Sequence, residues 1–190
     1  GSKPIGCKWV LRRKYATDGS LLTFKARLVV KGFKQTAGID YFETYVLVAR
    51  ITSIRVLLSL VSLYNLFVHQ MDVKTMFLNG DLDEEMYMKQ PEEFVMPRNG
   101  KKVCKLVKSL YGLKQAPKQW HEKFESVLLS SEFIYNSDNK CLQAKYTQKY
   151  YVIICLYVDD MLIVNNDIKS VEDTKKYLKM KDLGEVDTIL

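Results

Sequence analysis

The chain has 190 residues, 47% of them apolar, which is enough to bury a core without disulfides or a structural metal. Its four cysteines lie far apart with no Cys-x-x-Cys pair, which predicts free thiols in a reducing compartment, and no apolar run is long and uncharged enough to predict a membrane span. The formal net charge of +7 favours a polyanionic partner.

Basic residues are concentrated at the start of the chain. Residues 1–34 contain nine Lys or Arg against a single acid. Within this segment, residues 8–15 and 21–31 are β-prone runs joined across Asp18-Gly19, a combination that predicts a hairpin. A second basic stretch covers residues 98–123, and an acidic segment before it reads as a solvated loop. Two basic surfaces could grip one phosphate backbone, or the lysines could serve solubility alone.

Apolar residues recur at helical spacing in three segments, which are residues 51–66, 118–131 and 168–180. Thr52 and Ser53 are candidate caps for the first predicted helix. The third predicted helix would turn Ile168, Val171 and Leu178 inward. With a short strand at residues 67–73, the order hairpin, helix, strand, helix, hairpin, helix indicates a single α+β unit without a linker.

Two adjacent carboxylates interrupt the most apolar part of the sequence. The β-rich runs 150–157 and 161–164 flank Asp159 and Asp160, and a tight hairpin with the aspartates at its tip keeps both charges out of the core. Asp72 ends the upstream strand, where a carboxylate could meet the hairpin aspartates across a sheet. Three such ligands suit Mg²⁺, and two ions about 3.5–4 Å apart can activate a 3′-hydroxyl and stabilise a departing pyrophosphate. A simple turn role for the paired aspartates remains the alternative.

Six blocks then follow one another in a familiar order. They are KPIGCKWV at residues 3–10, KARLVVKGF at 25–33, HQMDVKTMFLNG at 69–80, SLYGLKQAP at 109–117, YVDD at 157–160 and MKDLGE at 180–185. Together they resemble the successive blocks of copia-type LTR retrotransposon reverse transcriptases. Each block alone is a weak signal, whereas six in order and at similar spacing form a strong one.

The resemblance implies a right-hand polymerase fold in which a fingers hairpin accompanies an antiparallel palm sheet packed on helices. Residues 1–66 and 78–118 would form the fingers, and residues 67–77 and 119–190 the palm. The thumb and RNase H would lie outside this sequence. The implied activity is that of an RNA-directed DNA polymerase fragment, which adds dNTPs to a primer 3′-OH.

The resemblance also assigns roles to single residues. Asp72, Asp159 and Asp160 would be the catalytic carboxylates and, with the Val73 carbonyl, would hold two Mg²⁺ ions, with Mn²⁺ as a substitute. Nucleotide-binding residues would be Lys25, Arg27, Phe77, Tyr111 and Lys181, of which Phe77 would block a ribose 2′-hydroxyl and Lys181 would protonate pyrophosphate. Template or primer contacts would come from Gly112, Leu113, Lys114, Gln115 and Tyr157.

The implied partners are an RNA or DNA template with its primer, dNTPs, and the remainder of the Pol polyprotein, including thumb, RNase H and integrase. Synthesis is expected in cytoplasmic retrotransposon particles or in the nucleus, with no membrane partner. Two departures stand out, because the family usually has Ser-Pro-Val at residues 46–48 and Ala at Met76. They keep open a decayed or domesticated, non-catalytic nucleic-acid-binding module. A phosphate-binding α/β signalling domain with a single Mg²⁺ is a third hypothesis, which lacks a Gly-rich loop.

Overall fold

The computed structural model describes residues 3–45, 49–72, 75–136, 141–157, 160–178 and 181–185, with the backbone alone described for Asp72 and for residues 176–178 and 181–185. The strands are β1 (Cys7–Tyr15), β2 (Leu21–Val30), β3 (Phe67–Asp72), β4 (Tyr87–Lys89), β5 (Val103–Lys105), β6 (Ile134–Tyr135), β7 (Leu142–Tyr146), β8 (Tyr151–Tyr157), β9 (Asp160–Asn165) and β10 (Lys181–Glu185). The helices are α1 (Ile51–Tyr64), α2 (Ala116–Ser130) and α3 (Ile168–Leu178). The chain is therefore of the α+β class, as predicted.

The chain divides into two compact units, each built from two separate segments. The first unit contains Gly1–Tyr45 and Phe77–Lys123, and the second contains Val46–Met76 and Phe124–Leu190. The second unit includes α1, because α1 packs its apolar side on the sheet of that unit. The fingers and palm ranges expected from the sequence stay a prediction.

In the first unit, β1 and β2 form the predicted antiparallel hairpin. Its turn is stabilised by the Asp18 carboxylate, which accepts hydrogen bonds from the Ser20 amide at 2.9 Å and the Ser20 hydroxyl at 2.7 Å. Gly19 adopts a φ of 83°, which glycine reaches at little cost. Asp-Gly thus acts here through the turn chemistry that the sequence indicated.

The first unit also holds a second, short hairpin of β4 and β5, which the sequence did not predict. Ile5 joins it to the chain start, because its amide donates to the Tyr87 carbonyl at 2.9 Å and its carbonyl accepts from the Lys89 amide at 2.8 Å. Met86 and Met88 are 2% and 4% exposed. The solvated loop predicted here is therefore wrong, since the two methionines anchor the segment in a core. That core consists of Ile5, Cys7, Val30, Met86, Met88, Leu113 and Ala116.

The second unit is built on an antiparallel six-stranded sheet in the order β10-β3-β9-β8-β7-β6. α1 covers one side of it, and their shared core consists of Ala49, Ile54, Leu57, Val68, Cys141, Cys155, Leu162 and Val164. α3 packs beside β9 and buries Val171. β8 and β9 pair from Val152 opposite Asn165 to Tyr157 opposite Asp160, which confirms the predicted hairpin.

Some local predictions are wrong. α1 begins after Arg50 without a side-chain cap, so Thr52 and Ser53 lie inside its first turn. Ile168, predicted to face inward, is 47% exposed at the first residue of α3, whereas the side chain of Leu178 lies outside the described residues. All four cysteines are free. In the part of the chain that the structure describes, no helix is long and apolar enough to cross a membrane.

Candidate active site

Two of the predicted catalytic positions are neighbours in the second unit. β3 and β9 run antiparallel with Asp72 directly opposite Asp160. Directly opposed residues in such a pair have Cα atoms about 4.5–5.5 Å apart. On the other side of β3, the backbone of Lys181 in β10 is opposite Asp72. Tyr157 is opposite Asp160 at the end of β8. Four of the predicted site positions are therefore neighbours in one row across β10, β3, β9 and β8. In that order they are Lys181, Asp72, Asp160 and Tyr157.

Asp160 is an exposed carboxylate with a defined partner. The side-chain amide of Gln70 donates a hydrogen bond from Nε2 to Asp160 Oδ1 at 3.1 Å. Gln70 is half-buried in β3, two residues before Asp72 and opposite Leu162. The sequence analysis missed Gln70. The available signal was its even spacing from Asp72, which becomes informative only when the β3–β9 register is known.

The chemistry of the donors fits a divalent cation. Asp160 offers a hard carboxylate oxygen at an exposed strand start, and Asp72 occupies the adjacent backbone position. Among the residues whose side chains are described, no group of three or more His, Cys, Asp or Glu could hold a metal ion. The predicted ligands Val73 and Asp159 lie outside the described residues, as do residues 46–48, where the sequence departs from the family.

A second cluster lies in the first unit and joins three predicted nucleotide-binding residues. The Arg27 guanidinium carbon is 5.4 Å from the centroid of the Tyr111 ring, within the range of a cation–π interaction. The Phe77 and Tyr111 rings meet edge to face with centroids 5.0 Å apart. Lys25 is two residues before Arg27 on β2 and is half-buried. A cationic strand residue and two aromatic rings are therefore assembled side by side.

The loop that carries Tyr111 is fixed against β2 by backbone contacts. The Val30 amide donates to the Tyr111 carbonyl at 2.7 Å. Gly112 has a φ of 95°, and a Cβ at that position would lie 2.1 Å from the Val30 carbonyl oxygen. A Cβ on Gly32 would lie 1.8 Å from the Gly112 carbonyl oxygen. Only glycine permits this approach at either position.

Two residues predicted to contact the template have buried side chains. Leu113 is 4% exposed within the core of the first unit, and Gln115 is 1% exposed. The Gln115 amide accepts from Gln35 Nε2 at 2.9 Å and donates to the Asp40 carbonyl at 3.1 Å. These side chains are held inside the unit and support the loop, and a template contact by Leu113 or Gln115 stays a prediction. Gly112 and Lys114 are the exposed members of the loop.

Some lysines of the second basic stretch form ion pairs with acids of the first unit. Lys118 forms ion pairs with Glu43 at 2.6 Å and Glu122 at 3.2 Å, and the hydrogen bond that Lys118 donates to Glu43 is the main cause of the raised pKa of Lys118. Lys123 pairs with Asp81 at 2.9 Å, and this hydrogen bond lowers the pKa of Asp81. The second basic stretch is therefore partly neutralised by acids of its own unit, which weakens it as a phosphate-gripping surface.

The β1–β2 hairpin presents a basic face. Because opposed residues in an antiparallel pair project from the same side, the register places five basic residues together on one face. These are Lys8, Arg12 and Lys14 of β1 with Lys25 and Arg27 of β2. The opposite face carries a different chemistry, with the Trp9 and Phe94 rings 5.7 Å apart. The hairpin is thus two-sided, and the predicted nucleotide-binding cations lie on its basic face.

The two aligned acidic positions of the second unit and the basic hairpin of the first unit are each features that a nucleic acid polymerase uses. Residues 1–190 match the family model described as "Reverse transcriptase (RNA-dependent DNA polymerase)", and the chain belongs to this family. Its relatives place it among the copia-type retrotransposon members, which confirms the resemblance seen in the sequence.

The similar proteins are long polyproteins. The chain is 48% identical over 195 residues to the retrovirus-related Pol polyprotein from transposon TNT 1-94 of Nicotiana tabacum, a match covering 100% of this chain and 15% of that protein. It is 40% identical over 177 residues to the Pol polyprotein from transposon RE1 of Arabidopsis thaliana, covering 93% of this chain and 12% of that protein. With the transposon Ty1-GR3 Gag-Pol polyprotein of Saccharomyces cerevisiae it shares 31% identity over 194 residues, covering 96% of this chain and 10% of that protein.

The chain thus spans between 10% and 15% of the length of these three relatives. No solved structure matches it significantly.

Proposed function

We propose that this chain supplies the catalytic centre of an RNA-directed DNA polymerase, which adds dNTPs to the 3′-hydroxyl of a primer paired with an RNA or DNA template. The observation that carries the proposal is the β3–β9 register, which makes Asp72 and Asp160 neighbours in a sheet where two like charges are costly without a cation. Membership of the reverse transcriptase family supports the same reaction.

In this proposal the second unit is the palm and the first unit is the fingers of a right-hand polymerase. The six-stranded antiparallel sheet backed by α1 suits a rigid platform for carboxylates. The basic hairpin suits a surface that meets phosphates. Thumb, RNase H and integrase would come from the remainder of the Pol polyprotein, and synthesis would take place in cytoplasmic particles.

Asp72, Asp159 and Asp160, with the Val73 carbonyl, would hold two Mg²⁺ ions, for which Mn²⁺ could substitute. When bound, such ions make the primer hydroxyl a better nucleophile and offset charge on the departing pyrophosphate. The carboxylates of this chain bind and orient the ions. The backbone register holds Asp72 and Asp160 in place before substrate arrives.

The cluster of the first unit would receive the nucleotide. Arg27 and Lys25 would bind the triphosphate, and the Tyr111 ring would hold the Arg27 guanidinium in position. Phe77, braced edge to face on Tyr111, would exclude a ribose 2′-hydroxyl. Lys181, whose backbone is opposite Asp72, would donate a proton to pyrophosphate. Gly112, Lys114 and Tyr157 would contact the template or primer.

The test is primer extension on short RNA and DNA templates with Mg²⁺ and dNTPs. Asp160→Asn is compared with Asp18→Asn, an exposed turn aspartate in the other unit. We expect Asp160→Asn to lower the extension rate by more than about 100-fold, because loss of a ligand should exceed the effect of losing an outer-shell contact. Asp18→Asn should extend like the parent chain. Equal extension by all three proteins would contradict the proposal.

One observation favours the second candidate, a non-catalytic nucleic-acid-binding module. Met76 is 4% exposed four residues after Asp72, at a position where the family usually has the smaller Ala. Extra volume there can shift the catalytic turn. If the chain binds a primer–template duplex but does not extend it, even after Met76→Ala and in the presence of a thumb-containing segment, this second function is the correct one.

A further inference from the structure

We propose that Gln70 is a positioning residue for the Asp160 carboxylate, and that it acts by fixing this carboxylate for the divalent cation. This inference rests on the proposed function. It concerns a residue that contacts a predicted ligand through its side chain without being a ligand itself.

Gln70 lies within reach of the Asp160 carboxylate across the β3–β9 pair. Gln70 and Asp72 are two residues apart on β3, and Asp72 is opposite Asp160. The Gln70 amide therefore reaches the carboxylate diagonally across the strand pair, with Nε2 3.1 Å from Oδ1. The contact uses one carboxylate oxygen. The second oxygen is then held at a fixed angle, which is what an oriented metal ligand requires.

Gln70 is a polar residue in an apolar part of the sheet face. The nearest positions on the same sheet face are apolar and buried. They are Val68, two residues before Gln70 on β3, and Leu162, which is opposite Gln70 on β9. Packing alone would favour an aliphatic residue at position 70. A half-buried amide there interrupts the apolar face and gains its hydrogen bond only from Asp160 among the contacts described for this side chain.

The Gln70 side chain is a hydrogen-bond donor without a charge. A Lys or Arg at position 70 would orient the carboxylate but would also offset its charge and repel a cation. A neutral amide donor orients the oxygen and leaves the full negative charge to the metal ion. Gln is also long enough to span the diagonal between strands. The chemistry of the residue therefore matches a support for a metal ligand better than it matches a surface ion pair.

The experiment uses the full 190-residue chain and measures Mn²⁺ binding by the electron paramagnetic resonance signal of free Mn²⁺, without nucleotide or nucleic acid. Gln70→Met removes the donor at nearly constant length and without a change of charge, and Gln70→Leu removes it with a shorter apolar side chain. Matched controls are Gln148→Met and Gln148→Leu, at an exposed glutamine between β7 and β8 of the same unit. The Mg²⁺ concentration for half-maximal primer extension is the second readout.

We expect both Gln70 variants to bind Mn²⁺ roughly 10-fold more weakly or worse, the usual effect of losing an outer-shell hydrogen bond. The half-maximal Mg²⁺ concentration should rise by a similar factor, and the Gln148 variants should match the parent. In an Asp160→Asn background, Gln70→Leu should cause no further loss. If Gln70→Leu does not fold, the uncharged and similarly long Gln70→Met decides the question.

The outcomes separate the two claims. If the parent binds Mn²⁺ and Asp160→Asn does not, while the Gln70 variants bind like the Gln148 controls, the positioning role is wrong and the proposed function stands. An equal loss from Gln70→Leu with and without the Asp160 carboxylate would also overturn the positioning role, because the effect would then be structural. If the parent chain binds no Mn²⁺, the proposed function fails and the role of Gln70 fails with it.

Discussion

Single glycines decide how closely the Tyr111 loop approaches β2. Gly112 combines a φ of 95° with a position where a Cβ would meet the Val30 carbonyl oxygen. Gly38 has a similar φ of 77° but has no atom within 4 Å of a built Cβ. The pair therefore separates two effects that usually occur together, which are backbone strain and steric conflict.

We predict that Gly112→Ala lowers the free energy of unfolding by about 2–4 kcal/mol, because the left-handed backbone and the clash both act. Gly38→Ala should lower it by about 1–2 kcal/mol through the backbone alone. Urea unfolding monitored by circular dichroism measures both. Equal losses would show that the loop relaxes freely, and that its contact with β2 does not depend on Gly112.

Cys155 provides a pH-dependent prediction. Its side chain is fully buried, and this burial is the main cause that raises the pKa of Cys155 to about 12 from an ordinary value of 9.0. As pH rises, the Cys155 thiol therefore loses its proton at a lower pH in the unfolded chain than in the folded protein. The contribution of the neutral thiol to stability is therefore fully present below pH 9, declines as pH rises above it, and is lost by about pH 12.

At pH 10 the stability of the parent chain, relative to pH 8, should fall by about 1 kcal/mol more than that of Cys155→Ala, because one pH unit above the unfolded pKa corresponds to 1.36 kcal/mol. Urea unfolding at the two pH values measures this difference. Identical pH dependence in the two proteins would contradict the assignment. Cys141, whose pKa burial also raises, is present in both and cancels.

At the scale of elements, the sequence predicted those features whose signal is local. The β1–β2 hairpin follows from an Asp-Gly turn, and α1 and α2 from apolar spacing. β4 and β5 have three residues each, too few for alternation to register, and β4 lies in an acidic segment. The placement of β4 depends on its backbone hydrogen bonds with Ile5, which lies more than 80 residues before Tyr87 in the sequence. No local sequence window therefore contains both partners.

The site shows the same limit. Asp72 and Asp160 were identified by resemblance and by their placement at strand ends, and the β3–β9 register confirms that they are neighbours. Gln70 was missed because a glutamine in a strand carries no signal until its cross-strand neighbour is known. Gln115 was assigned to the template because it lies in a family block, whereas its burial is visible only in three dimensions.

Gln115 belongs to a buried hydrogen-bond network that joins separate segments of the first unit. Gln115→Leu removes the acceptor for Gln35 and the donor to the Asp40 carbonyl, leaving polar groups without partners. We expect a loss of about 1–3 kcal/mol in the free energy of unfolding. The exposed Gln148→Leu should change it by no more than about 0.5 kcal/mol. Thermal and urea unfolding test this, and a neutral Gln115→Leu would mean that water replaces the network.

At the scale of the whole molecule, the distribution of charge matters more than its total. The net charge of +7 includes lysines that are paired within the first unit, such as Lys118 and Lys123. The basic face of the β1–β2 hairpin gathers five cations on one side. If this face binds nucleic acid, substituting its cations with neutral residues should change the salt dependence of binding as well as the affinity.

We predict that Arg12→Gln/Lys14→Gln, on the same basic face as the proposed triphosphate-binding residues, reduces the slope of log K against log salt for duplex binding by roughly 1.4–1.8, since each phosphate contact contributes about 0.7–0.9. Lys101→Gln/Lys102→Gln removes the same charge from an exposed site of the same unit and should leave the slope nearly unchanged. Fluorescence anisotropy between low and moderate salt measures the slopes. Equal reductions in both variants would mean that net charge alone governs binding.

The interleaving of the two units has a consequence for synthesis on the ribosome. The first unit needs Gly1–Tyr45 and Phe77–Lys123, and the amide of Ile5 finds its acceptor on Tyr87. At about 5–20 residues per second, a nascent chain waits roughly 3–12 s between emergence of the first hairpin and emergence of the strand that covers it. During that interval Cys7 and Val30 lack the methionines that bury them. Adjacent ribosomes on one message present the same uncovered surface, so slower translation should favour aggregation of this protein over folding.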